Sequence, residues 1–233
     1  KMRRNFFQFL IFEFLIFGIV LSILCQINTA FADESERIED CIHILDEVIT
    51  SSEEAPLHIL KQAKGVVLIP GVKKVGLGLG VTRGKGVIVF KNDQGKWLPP
   101  LFISLYGGSI GLQLGAKSSD VIIFLMTDKA IEKFKKSKLK LGADLHVTAG
   151  PKGKNIGIST GRLSKVDAYS YVKEKGVFAG AVISGSKLSY DSKAIKRYYG
   201  KSFTVADMFK GNIPQNIPEE AQELLEILRK YTQ

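Results

Sequence analysis

"GLGLGVTRGKG", residues 76–86, packs five glycines and two cations into eleven positions, the composition of a loop that cradles phosphate. Such loops need glycine because backbone N–H groups must come close to the anion at a helix N-terminus, so spacing and the element that follows are the test. The spacing fails. Three residues stand between Gly80 and Gly84 where G-x-x-x-x-G-K-[S/T] requires four, and Lys85 is followed by Gly86 in place of a hydroxyl. A G-x-G-x-x-G reading ends on Val81 or Arg83. What remains is alternation: Gly76, Gly78 and Gly80 interleave with Val75, Leu77, Leu79 and Val81, and successive strand side chains point to opposite faces. The segment reads as a strand with one bare face, the mark of a bend, a bulge or a close backbone approach.

Working outward, the texture from Gly65 onward is that of a sheet. "VVLI", "VGLGLGV", "GVIVF", "LFISL", "SIGLQLGA" and "VIIFLM" are short, β-branched or alternating runs separated by turn residues such as "NDQG". Helices flank them. Ile38, Cys41, Ile42, Leu45, Val48 and Ile49 recur at helical spacing with acids between, and a short second helix restarts at Ser51 or Pro56 and ends at Gly65. "DKAIEKFKKS" opens at a Thr127 or Asp128 cap, short helices fall at Ser192–Tyr199 and Thr204–Phe209, and a C-terminal amphipathic helix follows Pro218 and two acids. The expected class is α+β: one β-rich domain, a curved antiparallel sheet or barrel-like, with short helices around it. The expected divisions are residues 33–62 for the N-terminal helices, 63–210 for the sheet domain and 211–233 for the C-terminal helix.

The chain has 233 residues and a formal net charge of +10. Its first 32 residues carry Lys1, Arg3 and Arg4, an apolar run from Phe9 to Leu24 and an Ala30-Phe31-Ala32 exit, which reads as a secretory signal segment with the mature chain starting at Asp33. An uncleaved anchor is the alternative, because the run is nearly long enough to span a bilayer. Acylation of Cys25 is disfavoured by Leu24 before it. Cys41 is then left without a cysteine to pair with, so the fold must rest on its core. A basic exported chain points to an anionic surface in the periplasm or cell envelope as its partner, and no reader motif for nucleic acid is present.

"AKGVVLIPGVKKVGLGLGVTRGKGVIVF", "GKWLPPLFISL", "SIGLQLGAKSSDVIIFLM", "LGADLHVTAGPKGK", "KGVFAGAVISGSKL" and "YYGK", in that order from about Ala63 to Phe209, resemble the SYLF domain family, which is related to the fungal actin-patch actin-binding domain. The resemblance implies a compact β-rich lipid-binding domain taking acidic phospholipids, phosphoinositides in eukaryotic members, with actin as a partner by family analogy only. Ile195 stands where the family pattern generally has Asn. An N-terminal amphipathic helix touches membrane in some eukaryotic members, but here its polar positions are mostly acidic and an anionic surface would repel them, so that helix is expected to pack on the domain.

The candidate lipid-binding residues are cations. Lys133, Lys135, Lys136, Lys138 and Lys140 fall in "KFKKSKLK", with Phe134 and Leu139 between them as apolar area to touch head groups, and Lys152 and Lys154 follow in "GPKGK". A second cluster is Lys73, Lys74, Arg83 and Lys85, the last two at the exposed tip of a hairpin if "TRGKG" turns. The bland reading of both clusters is a solvated helix end and a soluble turn.

No catalytic residue or metal set is expected. "GGSIG" at residues 107–111 matches G-x-S-x-G, but the elbow requires a helix after the serine and "IGLQLGA" continues as strand. His43 and His58 have no partner His four residues on, and Trp97 reads as a core plug. No cofactor is implied. The reading is an exported non-enzymatic module that binds anionic phospholipid membrane through a basic face. The alternative is a cell-envelope interaction protein that docks a protein partner, and a serine hydrolase stands a distant third.

Overall fold

The computed structural model describes residues 33–51, 55–136, 138–151 and 166–233, with backbone only at 77–79 and 109–115. The signal-like segment with Cys25, and Lys152 and Lys154, lie outside the described residues. Two strands dominate, β1 (Gly65–Phe90) and β2 (Leu101–Leu125), paired antiparallel from Gly65↔Leu125 to Ile88↔Leu101. At about 3.3 Å per residue each would run roughly 85 Å if straight, far longer than a compact domain of this size is wide. The ribbon must bend.

It bends where the sequence loosens the ladder. Pro70 lacks an N–H, and Gly71 takes φ 55° and donates its own N–H to Asp120 Oδ1 at 2.9 Å, so the register shifts between Ile69 and Val72. A second shift lies between Leu77 and Leu79. The two halves of β1 then come face to face. A Cβ on Gly86 would stand 2.0 Å from the Leu68 carbonyl oxygen, and one on Gly84 would stand 2.8 Å from Ile69 Cγ2. A close backbone approach is thus found at Gly86, and Gly84 lies against the side chains of Ile69 and Val72. The side-chain surroundings of Gly78 lie outside the described residues.

This bend also corrects the expected segmentation. "VVLI", "VGLGLGV" and "GVIVF" are one strand, because Pro70-Gly71 makes a bulge and not a turn. "TRGKG" is no hairpin tip: Arg83 pairs with Tyr106 and Lys85 with Ser104, and the chain reverses over residues 91–100. Trp97 plugs that reversal as expected. It is buried, and its Nε1 donates to Thr232 Oγ1 at 3.1 Å.

β2 is long enough to hold two further strands on its other edge. Ile103–Gly107 pairs with β7 (Ser186–Tyr190), and Asp120–Leu125 pairs with β5 (Ala168–Glu174). β7 in turn holds β3 (Lys138–Lys140), while β5 holds β6 (Val177–Gly180) antiparallel and β4 (Val147–Ala149) parallel. The result is a curled mixed sheet in a single α+β domain. This is the curved, barrel-like sheet expected, with β4 and β5 as a parallel pair among its otherwise antiparallel described strands.

Six helices among the described residues close the core: α1 over residues 33–50, α2 (Ala55–Gln62), α3 (Asp128–Phe134), α4 (Ser192–Tyr199), α5 (Val205–Phe209) and α6 (Glu219–Thr232). Their starts follow local chemistry. Thr127 and Asp191 accept from the N–H groups of Ala130 and Ala194, and Thr204 forms a capping box with Asp207. α1 packs on the domain as its acidic polar face led one to expect, burying Ile38, Cys41, Leu45 and Val48 completely. Glu34, also fully buried, is held by Arg197 of α4. Ser35 and Tyr198 donate to Glu220 Oε1 at 2.6 and 2.7 Å, joining α1, α4 and α6. Burial opposes ionisation of Glu220, but those two hydroxyls hold its carboxyl below the usual range. Ile195, at the position where the resemblance calls for Asn, is a buried core residue.

Gly86→Ala should lower stability by about 2 kcal/mol or more, because a backbone carbonyl and not a movable side chain fills the space. Gly108→Ala, whose Cβ would meet nothing nearer than the Gly80 carbonyl oxygen at 4.0 Å, should stay within about 0.5 kcal/mol of the parent. Urea denaturation of the two variants beside the parent checks both.

Candidate functional site

The α3 lysines do not form one solvated row. Lys133 is half-buried, with Nζ 2.7 Å from Asp167 Oδ2, and Lys135 pairs with Glu132 one turn back while lying over the Phe209 ring. Burial would raise the Asp167 carboxyl, but the hydrogen bond and charge of Lys133 hold it below the usual carboxylate range. Phe134 and Leu139 are core residues, 2% and 3% exposed, and have no apolar area to give to a membrane. The interleaved pattern was a helix and a strand each turning one side inward. Lys136, Lys138 and Lys140 are the cations of this run that stand exposed without an ion pair among the described residues.

Register brings part of this run together with the second cluster. Lys140 lies opposite Lys187, Lys187 opposite Tyr106, and Tyr106 opposite Arg83, so one cross-strand row runs through β3, β7, β2 and β1. Directly opposed residues share a face, and all four side chains are exposed. The Arg83 guanidinium carbon is 5.7 Å from the centre of the Tyr106 ring. The next row on the same face is Lys138, Ser189, Ser104 and Lys85. With strands about 4.8 Å apart, each row spans roughly 14 Å. Five cations, Arg83, Lys85, Lys138, Lys140 and Lys187, thus occupy one patch of sheet; Asp33 lies 3.2 Å from Lys85 Nζ, and Asp144 Oδ2 accepts from the Lys140 backbone N–H at 2.8 Å.

This face continues under the helices. Phe102, two residues before Ser104 on the same side of β2, is buried beneath Arg37 of α1 and Tyr198 of α4, whose ring centre is 5.0 Å away. The helices cover one end of the outer sheet and leave the cationic end open. Lys73 and Lys74, adjacent in a strand, point to opposite sides: Lys73 lines a cleft beside Arg83 and Lys85, and Lys74 lines a second cleft with Val72, Val121, Glu174 and Val177. Lys187 and Tyr106 are the site residues that the sequence reading missed. "SKLSY" does alternate polar and apolar, but nothing local says which strands flank it.

The arrangement offers charge and hydrogen-bond donors and no reactive set. β2 runs unbroken through Ser109, so the helix that a nucleophile elbow requires does not follow it. Among the described residues no group of three His, Cys, Asp or Glu side chains converges, and no helix is long and apolar enough to cross a membrane.

A family described as "Ysc84: Las17-binding protein actin regulator" matches residues 106–231. "SH3 domain-containing YSC84-like protein 1" of Homo sapiens and of Rattus norvegicus are each 32% identical over 179 residues, covering 76% of this chain and 52% of the relative. "Protein YSC84" of Saccharomyces cerevisiae is 32% identical over 188 residues, 78% of this chain and 39% of the relative. The chain spans about half the length of the curated mammalian relatives it matches.

Lys133→Gln should cost about 1 kcal/mol at neutral pH, because the pair with Asp167 is more than three-quarters buried on both sides. A depressed carboxyl contributes stability above its unfolded pKa and loses it as pH falls through the folded value. The gap between variant and parent should therefore close as pH drops below about 3.8, which thermal melts across an acid series will read.

Proposed function

The chain belongs to the Ysc84 (SYLF) family, and from that membership we propose that it is a lipid-binding module whose basic sheet face holds an anionic phospholipid membrane. The observation that carries this reading is the in-register row Arg83, Tyr106, Lys187 and Lys140 with Lys138 and Lys85 beside it. Strand geometry fixes these positions relative to one another, so several cations meet a flat anionic surface at once. Each contributes on the order of 1 kcal/mol near an anionic leaflet. Tyr106, 46% exposed, adds an amphipathic ring of the kind that sits at head-group depth. Contact is electrostatic and peripheral, with no catalytic step.

The family description favours a second reading, an acidic protein surface on the same face. Actin enters by analogy with the family. Salt alone does not separate the two readings, since both are screened within about 8 Å at physiological ionic strength. Lipid composition does.

Lys138→Gln, Lys140→Gln and Lys187→Gln together should weaken binding to phosphatidylglycerol-containing vesicles by roughly a hundredfold, three cations at about 1 kcal/mol each. The fold should be unchanged, since all three side chains are exposed. Flotation with and without phosphatidylglycerol checks this. Parent protein that ignores the anionic lipid yet co-sediments with actin filaments would favour the protein partner.

A further inference from the structure

A cleft of about 670 Å³ separates residues 33–40 of α1 from the bent half of β1. Lys73, Arg83 and Lys85 stand on its strand wall, and Arg37 lines it from α1. Arg37 is buried, with its side chain 5% exposed. Among the described residues its Nη1 donates no hydrogen bond, and it faces Asp191 Oδ2 as an ion pair at 3.5 Å. A guanidinium held this deep draws anionic partners to both of its terminal nitrogens. Its other terminal nitrogen, Nη2, lies 3.3 Å from Asp33 Oδ2, and that same oxygen lies 3.2 Å from Lys85 Nζ. One carboxylate oxygen already bridges two cations. It comes from an aspartate of α1 whose side chain is 52% exposed, so it can be displaced without disturbing the core. Burial works against the charge on Asp33, yet Lys85 and Arg37 keep its carboxyl below the usual range.

We propose that this cleft is a phosphate-binding site for a lipid head group, in which the Asp33 carboxylate is the internal stand-in that the phosphate displaces. The proposal rests on the membrane reading of the basic face, with which it shares Arg83 and Lys85. A phosphate group presents more oxygens than a carboxylate and so can bridge Arg37 and Lys85 while turning one toward Arg83. Glu36 and Asp40 also line the cleft and oppose any weak anion. A phosphomonoester, with close to two charges at neutral pH, competes with Asp33 better than a singly charged diester does. Val75 and Val81, 54% and 63% exposed, line the same cleft and offer apolar area to the root of the acyl chains. The ligand class is a lipid phosphomonoester of the phosphatidic-acid type.

Removing the internal competitor is the test. Asp33→Asn, Arg83→Gln with Lys85→Gln, and the parent are each titrated with vesicles containing phosphatidic acid or phosphatidylglycerol, and by NMR with glycerol phosphate and inorganic phosphate. Circular dichroism confirms that each is folded. Asp33→Asn should tighten binding to phosphatidic acid vesicles by about fivefold or more, since one repelling charge leaves the site, and the double Gln variant should weaken it by at least as much. Glycerol phosphate should shift the resonances of Arg37 and Lys85 in the parent. Parent that binds anionic vesicles, with Asp33→Asn no tighter and no cleft resonance moved by phosphate, would overturn the site and leave the membrane reading standing. Cleft resonances that move with phosphate while no variant binds vesicles would keep the site, make its ligand a soluble phosphate and end the membrane reading. Neither response would end both.

Discussion

The contact on which the rest of the structure depends is the approach of Gly86 to the Leu68 carbonyl. With no side chain at Gly86, the second half of β1 can lie against the first, and the paired β2 must follow the same bend. That doubling turns one long ribbon into two layers whose buried residues on both faces, among them Leu68, Ile69, Val87, Val89, Ile122 and Phe124, belong to one core. It also divides the free edge of β2, giving one end to β7 and the other to β5. An extended ribbon would bury little; a folded one buries both halves against each other. The bulge at Pro70-Gly71 supplies the bend, and the glycines at 84 and 86 supply the clearance.

The outer side of the sheet then has two fates, decided by what covers it. α1 docks over the Phe102 end. Six of its residues, Ile38, Cys41, Ile44, Leu45, Val48 and Ile49, are 5% exposed or less, and burial on that scale is worth on the order of 10 kcal/mol. The surface ion pairs around it, such as Lys85 with Asp33, contribute about 0–1 kcal/mol each. Apolar burial holds the helix, and the pairs set its register against β1 and α4. In the proposed function the helix stays on the domain, and the uncovered, cationic end of the sheet is the surface offered to the membrane. The same docking places Arg37 and Asp33 beside Arg83 and Lys85, so the basic face and the cleft arise from one packing event.

Much of this was legible in the residues. The helices at 33–50, Ser192–Tyr199 and Thr204–Phe209 were legible in the sequence, and the alternating glycines signal a bare strand face. What local pattern could not supply was long-range pairing. Pro70-Gly71 looks like a break, and only the continued register with Val121 and Ser119 shows that the strand runs on. "TRGKG" has the composition of a turn and is held extended by Tyr106 and Ser104. Lys133 looks like its neighbours in "KFKKSKLK" until Asp167, 34 residues away, is seen beside it. Lys187 is a lone cation between apolar residues, and it becomes part of a site only through strands that the chain reaches 47 residues earlier, at Lys140, and later returns to. Composition identified the kind of surface; register chose which cations share it.

The central claim is that the open end of the sheet meets anionic lipid while α1 remains docked. Amide hydrogen exchange of the intact chain, with and without phosphatidic acid vesicles, tests it most directly. Binding should protect residues 83–85, 104–106, 138–140 and 187–189 and leave exchange along residues 38–49 as slow as in the free protein. Faster exchange through residues 38–49 on binding, with no protection of the four strand segments, would show that the helix leaves the domain to meet the membrane and would contradict this account.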